Sequence, residues 1–231
     1  MNWRIEDHEE LDSTNTTAAA REPWTVIRAR RQRGGRGTHG RGWVSGEGGL
    51  WMSAVLPATA DSATWSLSAG MALCEVCRAL GGEEVRLRWP NDLMIRHRKV
   101  AGILLDHPAP EKIVIGIGVN LTQDPSLTVS ELKGQAGRLQ DLLPAPPDRD
   151  ALTVSILAKL AEIQARDFAF FAARLSACWG EPRLVEVETG GQFITGLFRG
   201  VDARGNPLLQ PAGGELLTIN GAHIWKLREL E

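Results

Sequence analysis

The spacing of apolar and polar residues in the first third of the chain predicts strands followed by one long helix. Short apolar runs at residues 24–29 and 49–57 are typical of buried strands. Residues 66–80 repeat apolar side chains with a helical period, and Gly81 and Gly82 end the repeat. Before the first strand, Ser13 or Thr14 is placed to cap a short helix.

The middle of the chain continues with strand patterns. Residues 85–89 alternate as a half-buried strand, residues 92–96 and 99–106 predict a hairpin, and residues 112–121 predict a deeply buried strand. A mixed α/β sheet is the expected result. Prolines in residues 144–147 break the chain before a predicted helix at residues 150–174.

The pattern changes after residue 180, where short strands alternate with glycine-containing turns. This change predicts a second, small β-barrel domain at residues 181–231 after a catalytic-sized domain at residues 1–180.

Composition places the chain among ordinary globular proteins. Of its 231 residues, 43% are hydrophobic and 23% are charged, and no apolar stretch approaches the roughly 18–20 residues of a membrane span. The N-terminus is acidic and unlike a signal peptide, and the three cysteines are an odd number without framework spacing. We therefore expect a cytoplasmic location. The net charge of -2 gives no overall attraction for nucleic acid.

The arginine-rich, glycine-rich stretch at residues 28–41 contains no acidic residue, and its composition predicts a loop. Glycines let backbone N–H groups face an anion, and arginine adds charge and paired donors. The stretch matches neither the P-loop nor the dinucleotide fingerprint. Binding of an anionic ligand, binding of RNA and a merely solvated loop all remain open from these residues alone.

Three further segments have a functional and a structural interpretation. Trp89-Pro90-Asn91-Asp92 places an amide and a carboxylate at a strand end, or simply reverses the chain. Lys99 either provides positive charge to a functional site or is an ordinary exposed lysine. The glycines of residues 116–120 either line a pocket or make room for a helix that packs against the strand. Cys74 and Cys77 favour core packing over a redox or metal site, and His39 has no evident metal-ligand partners.

Taken together and in order, these motifs resemble the biotin protein ligase family over nearly the whole chain. The combination is far more specific than its parts. The matching motifs are Asp12-Ser13-Thr14-Asn15, Gln32 with Gly35-Arg36-Gly37 and Trp43, Arg88-Trp89-Pro90-Asn91-Asp92, Arg98-Lys99 with Ala101-Gly102-Ile103-Leu104, and Gly116-Ile117-Gly118-Val119-Asn120. The C-terminal strands look like the family's SH3-like barrel, which follows a mixed-sheet catalytic domain of the biotin/lipoate ligase type.

The resemblance implies a two-step reaction. The carboxylate of biotin attacks the α-phosphate of Mg²⁺-bound ATP to give biotinyl-AMP and pyrophosphate, and a lysine of a biotin carboxyl carrier domain then attacks the mixed anhydride. The apolar pattern predicts no membrane partner. The resemblance allows a homodimer, since relatives are found both as monomers and as dimers.

Site roles are likewise carried over from the family, position by position. Catalytic roles are implied for Arg36, Lys99 and Asp92. Biotin contacts are implied for Ser13, Thr14, Asn15, Gln32, Gly35, Arg36, Gly37, Thr38, Lys99, Gly102, Gly116 and Gly118. Nucleotide contacts are implied for Trp43, Arg88, Asn91, Asn120 and Arg228, with Lys226 as an alternative to Arg228, and no resident protein metal site is implied.

Three features depart from the family pattern. Thr38 stands where family loops commonly carry a second arginine that helps to retain the adenylate, and Arg88 stands where a lysine is usual. Asp12 lies close to Met1, so an N-terminal DNA-binding domain and specific DNA binding are not expected. The alternatives are a divergent member that transfers lipoate or octanoate, a non-catalytic biotin sensor, and an RNA binder that uses the arginine–glycine stretch.

Overall fold

The computed structural model describes residues 2–145 and 148–230. Pro146 and Pro147, half of the predicted proline-rich break, lie outside these residues. Seven strands form the first sheet: β1 (Arg4–Leu11), β2 (Thr25–Gln32), β3 (Gly49–Pro57), β4 (Val85–Arg88), β5 (Asp92–Ile95), β6 (Arg98–Ala109) and β7 (Lys112–Asn120). The helices are α1 (Thr14–Ala19), α2 (Trp65–Ala79), α3 (Leu139–Leu142), α4 (Arg149–Gln164) and α5 (Ala172–Ala177), with short 3₁₀ turns between elements.

The first sheet has the strand order β1-β2-β3-β7-β6-β5-β4, and its β1–β2 pair is parallel whereas the other pairs are antiparallel. The predicted mixed α/β architecture is therefore confirmed. Strand β3 is buried at every residue except Pro57, because helices α2 and α4 pack into the main core on one face while α1 covers the other face. The central strands thus form a rigid base for the groups at their ends.

Five strands form a second, antiparallel sheet: β8 (Leu184–Thr189), β9 (Gln192–Val201), β10 (Pro207–Gln210), β11 (Leu217–Thr218) and β12 (Ile224–Glu229). Their order is β11-β10-β9-β8-β12, around a small core that includes Val187 and Leu209. Among the described residues the hydrogen-bonded order is open, so closure into an SH3-like barrel stays a prediction. The division of the chain after residue 180 also stays a prediction.

The two sheets meet along strand β4. The guanidinium of Arg86 forms two hydrogen bonds of 2.6 Å to the carboxylate of Glu229 in β12. Trp89 follows β4, packs against the cores of both sheets and donates its indole N–H to the carbonyl of Gly205 over 3.0 Å. These contacts join the C-terminal sheet directly to the strand that precedes the Trp-Pro-Asn-Asp motif.

Two predictions at the level of elements were wrong. The single helix expected at residues 150–174 is divided, because Asp167 has an extended backbone and the N–H of Phe168 donates to the carboxylate of Asp61 instead of continuing the helix. The arginine-rich stretch at residues 28–41 is not all loop, since strand β2 continues to Gln32. The edge strand β1 was not predicted at all, because its acidic, half-exposed residues show no buried face.

No helix among the described residues is long and apolar enough to cross a membrane. The three cysteines are free and buried, in agreement with the core-packing interpretation of Cys74 and Cys77.

Candidate active site

A cleft with about 480 Å³ of empty space, part of which is open solvent, lies where α1, the end of β2, the central parts of β6 and β7, and the loop between β2 and β3 come together. We call residues 33–48 the arginine loop. Thirteen of the residues predicted from the sequence line this cleft: Ser13, Thr14, Asn15, Gln32, Arg36, Gly37, Thr38, Trp43, Asn91, Lys99, Gly102, Gly116 and Gly118. Apolar residues complete its wall: Met52, Ile103, Leu104 and Ile117.

A neutral hydrogen-bond network forms one part of the cleft wall. The side-chain carbonyl of Gln32 accepts hydrogen bonds from the backbone N–H of Thr14 at 2.8 Å and from the Thr14 hydroxyl at 3.0 Å. The amide of Gln32 donates to Ser45 Oγ at 2.8 Å. Ser13 occupies the N-cap position of α1, but its side chain makes no capping bond. Gln32 from the neighbouring strand therefore satisfies the first amide of the helix.

Asn15 links this network to a carboxylate. Its Oδ1 lies 2.5 Å from Ser53 Oγ, and its amide donates to Asp106 Oδ2 over 2.9 Å. A Cβ at Gly116 would collide with the Asn15 amide group, so a side chain at position 116 would displace Asn15. Gly116 is therefore needed to keep this buried asparagine in place.

Two cations line the cleft, and each rests on a carboxylate of the chain. Lys99 Nζ lies 2.5 Å from Asp92 Oδ1 and 5.0 Å from the centroid of the Trp43 ring. Arg36 lies 3.2 Å from Asp106 Oδ2. The Arg36–Asp106 pair is more exposed than the Lys99–Asp92 pair, so it holds its cation more weakly.

Asp92 stands between two cations, with Arg88 Nη2 2.6 Å from its Oδ2 and Lys99 Nζ beside its Oδ1. Burial raises the pKa of this carboxyl, but the opposing charges of Lys99 and Arg88 outweigh burial and hold the pKa below its usual value. Asp92 is therefore ionised at neutral pH and fixes Lys99 at the cleft.

Trp43 covers glycines on two adjacent strands. A Cβ built at Gly118 would lie 2.6 Å from the indole Nε1, and one at Gly102 would lie 3.0 Å from the ring. The base of the arginine loop also depends on a glycine, because a Cβ at Gly35 would collide with the carbonyl of Trp43 and lie 2.5 Å from Ser45 Oγ. The indole thus lies directly on the floor of the cleft.

Five residues predicted for the site lie outside the cleft lining. Gly35 forms the base of the loop, and Arg88 and Asp92 stand behind Lys99. Asn120 is buried and donates its amide to the carbonyl of Gly137 over 2.9 Å. Arg228 lies on β12 and pairs with Glu186 at 2.8 Å. The structure therefore brings neither Asn120 nor Arg228 to the cleft, and their nucleotide roles stay predictions.

The structure adds residues that the sequence did not indicate. Asp106 binds both Asn15 and Arg36, and Ser45 and Ser53 complete the network around Gln32 and Asn15. Asp106 comes at the end of the apolar run of β6, and the two serines lie in or beside strands. Only the distant partners of these three residues identify them as part of the site.

Several arginines of the 28–41 stretch are neutralised rather than presented to a polyanion. Arg28 is buried in β2 and forms paired hydrogen bonds of 3.0 and 2.7 Å to Asp7. Arg30 and Arg31 lie 3.4–3.9 Å from acidic residues of β1. The unpredicted edge strand thus supplies the counter-charges, which weakens the RNA-binding interpretation. No cluster of three metal-ligating side chains occurs in the described part of the chain.

Comparisons with known proteins show which chains and solved structures this protein is similar to. The biotin/lipoate A/B protein ligase family matches residues 8–120. A biotin--[acetyl-CoA-carboxylase] ligase of Mycobacterium tuberculosis is 34% identical over 218 residues, which cover 88% of this chain and 79% of that protein. One from Paracoccus denitrificans is 31% identical over 239 residues, covering 89% and 94%. The structure of the biotin protein ligase from Aquifex aeolicus in complex with biotin and ATP superimposes with a TM-score of 0.84 at 25% identity, over 98% of this chain and 99% of that chain.

Proposed function

The chain belongs to the biotin protein ligases of the biotin/lipoate A/B protein ligase family, and on that premise we propose that its cleft joins biotin to AMP and then to a carrier lysine. One observation carries this proposal. A single cleft is lined both by a neutral network of hydroxyl and amide groups around Gln32 and by two cations, Arg36 and Lys99. Biotin has a ureido group that needs neutral partners and a carboxylate that must meet a phosphate.

The neutral network provides the ureido subsite in this proposal. Ser13, Thr14 and Gln32 supply hydroxyl and amide groups on rigid elements, with Asn15 held between Ser53 and Asp106. The apolar wall residues beside them, including Met52 and Ile117, suit the ring and the aliphatic chain of biotin.

The two cations bring the anions together. Before the first bond forms, the biotin carboxylate and the α-phosphate repel one another, so fixed positive charge lowers the barrier. Lys99 is held by Asp92, whereas Arg36 can leave its exposed partner Asp106 for an incoming anion. Asp92 is also the proposed group that orients the acceptor lysine in the second step.

Nucleotide contacts are proposed for Trp43 and Asn91, which line the cleft, and for Arg88, which stands beside Asp92. Trp43 covers the adenylate and excludes water from a hydrolysable anhydride. Mg²⁺ is proposed to enter on the ATP phosphates. The entry of Mg²⁺ with ATP agrees with the residues of the cleft, because the carboxylates of Asp92 and Asp106 already bind cations or amides of the chain.

The wider proposal follows the family. The acceptor is a biotin carboxyl carrier domain of a carboxylase, the reaction takes place in the cytoplasm, and residues 181–231 form an SH3-like barrel. A homodimer remains part of the proposal, with no role for specific DNA.

The test is pyrophosphate release with biotin and ATP, run beside lipoate and octanoate and followed by transfer of label to a carrier domain. We expect release that depends on biotin, followed by labelling of a lysine. Ser13→Ala and Gln32→Ala should lower this activity, because both side chains belong to the proposed ureido subsite. A lipoyl-type pocket needs no ureido partners, so the same substitutions would not have this effect there. Turnover of lipoate or octanoate without turnover of biotin would reject the proposed substrate while keeping the fold.

A further inference from the structure

The tip of the arginine loop is held mainly by its own backbone. Gly37 N donates to the Arg41 carbonyl over 2.7 Å and Trp43 N donates to the Gly35 carbonyl over 2.8 Å, so the loop folds back as a narrow hairpin. At its tip, His39 and Gly40 both have positive φ angles, of 56° and 70°. Among the described residues, apart from the two chain neighbours of each glycine, no atom would lie within 4 Å of a Cβ built at Gly40 or Gly42. The backbone at the tip therefore has open space beside these two glycines.

The C-terminal sheet reaches this tip through one aromatic residue. The ring of Trp225 in β12 lies 5.1 Å from the ring of His39, centroid to centroid, with an angle of 47° between the planes. Trp225 is 67% exposed, so burial in its own sheet does not explain the presence of a tryptophan there. The ring pair with His39 links this exposed side chain to the arginine loop.

Strand β12 is a firm support for that contact. It pairs with β8 at Ile224 and from Lys226 to Glu229, so Trp225 lies at a bulge between two paired residues. Glu229 at the end of the strand forms the two 2.6 Å hydrogen bonds to the buried Arg86 of the catalytic sheet. Trp225 is thus fixed relative to the sheet that forms the cleft floor. A loop that rests on Trp225 is fixed to the same frame.

We propose that Trp225 is a positioning residue that holds the tip of the arginine loop through His39 and so keeps Arg36 and Trp43 at the cleft. Both residues lie on the hairpin whose tip contacts Trp225, one before the tip and one after it. An aromatic pair of this kind stabilises the held state by about two- to tenfold in population. As far as it concerns the adenylate, this inference rests on the proposed function.

The first experiment needs no activity. Trypsin cleaves after Arg36 and Arg41, which are exposed on the loop, and the rate of cleavage reports the population of the released loop. In the ligand-free protein we expect Trp225→Ala to raise cleavage at these two bonds about two- to tenfold. Mass spectrometry identifies the bonds. Trp225→Phe, which keeps an aromatic ring, should be cleaved nearly as slowly as the wild type.

Phe193→Ala is the matched control, because Phe193 is also an exposed aromatic residue of the C-terminal sheet, at 65%, and among the described residues it makes no aromatic contact with the loop. It should leave cleavage unchanged. His39→Asn removes the ring but tolerates the positive φ, and it should match Trp225→Ala. The double variant should then show no further increase. Equal cleavage of Trp225→Ala and the wild type, or additive effects in the double variant, would overturn the contact.

The second experiment concerns the site. With biotin and ATP present, Trp225→Ala should release the adenylate faster by a similar factor while its melting temperature stays that of the wild type. Faster cleavage without faster release would restrict Trp225 to a structural role and overturn the positioning inference. If the wild type forms no adenylate, the proposed function fails, and the proteolysis result still decides the contact.

Discussion

Asp92 shows how a single buried carboxylate organises the site at the scale of residues. It binds Arg88 on one oxygen and Lys99 on the other, at 2.6 and 2.5 Å. Removal of its charge leaves two cations facing each other without compensation. The carboxylate therefore contributes both to stability and to the position of Lys99.

Asp92→Asn should lower the free energy of unfolding near neutral pH by about 1–3 kcal/mol, because the charged hydrogen bonds from Arg88 and the ion pair with Lys99 lose the negative charge of their partner. The pKa of Asp92 is lowered in the folded protein, so its stabilisation is present above the unfolded pKa of about 3.9 and is lost as the pH falls through the lower folded pKa. Urea titrations from pH 7 to pH 2 measure the difference between the two proteins. A difference that stays constant over this range would contradict the assigned role.

Thr38 is the residue at which this chain lacks a family arginine. Thr38→Arg should slow dissociation of biotinyl-AMP about ten- to a hundredfold, since one charge-assisted contact contributes roughly 1.5–3 kcal/mol. Stopped-flow or filter-binding measurements of the dissociation rate test this. Thr38→Gln, which is long but uncharged, is the control and should change the rate little. An unchanged rate in Thr38→Arg would reject the idea that Thr38 weakens retention.

At the scale of elements, the arginine loop can lie close to strands β6 and β7 because glycines on these strands have no side chain. Strands β6 and β7 present Gly102 and Gly118 to each other in register, and the Trp43 indole lies on both. A side chain at either position would lift the indole from the sheet. The glycines therefore determine where the loop can close.

Gly118→Ala should raise the dissociation constant for ATP or adenylate about 5- to 100-fold. The new methyl group would lie 2.6 Å from Trp43 Nε1, so the indole would have to move. Isothermal titration calorimetry provides the measurement. Gly42→Ala adds the same methyl group where, apart from the two chain neighbours, no described atom lies within 4 Å, so it should bind like the wild type. Equal affinities in the two variants would show that the indole does not occupy this position when ligand binds.

At the scale of the whole molecule, the two sheets behave as one frame because of a buried ion pair. The side chain of Arg86 is 5% exposed and that of Glu229 is 20% exposed. Loss of one partner leaves a buried charge without compensation, which costs much more than loss of a surface pair. We therefore expect the junction beside Trp89 to be more sensitive to mutation than an exposed ion pair of the same sheet.

Glu229→Gln should lower the free energy of unfolding by about 3 kcal/mol. Glu186→Gln is the control on the same sheet. Its partner Arg228 is 56% exposed, so this variant should lose less than about 1 kcal/mol. Urea denaturation of both variants makes the comparison. Equal losses would show that the Arg86–Glu229 pair does not join the sheets.

The sequence predicted most strands of the first sheet closely, as shown by β3 at residues 49–57 and the hairpin of β5 and β6. Their apolar patterns are local and end at turn residues. The same reasoning failed for β1, whose acidic residues face the arginines of β2, and for the helix that ends before Phe168. In both cases a distant partner determines the local structure: Arg28 for Asp7, and Asp61 for the N–H of Phe168.

The sequence by itself determined the mixed α/β class and, through its ordered motifs, the ligase family and thirteen residues of the cleft. Periodicity and motif spacing are properties of the chain that need no folded partner. Only the tertiary structure showed that Asp106 joins Asn15 to Arg36, that Asn120 is turned toward Gly137, and that Trp225 meets His39. These contacts join residues far apart in the chain, and which side chains meet depends on how the sheets and loops pack rather than on any local pattern.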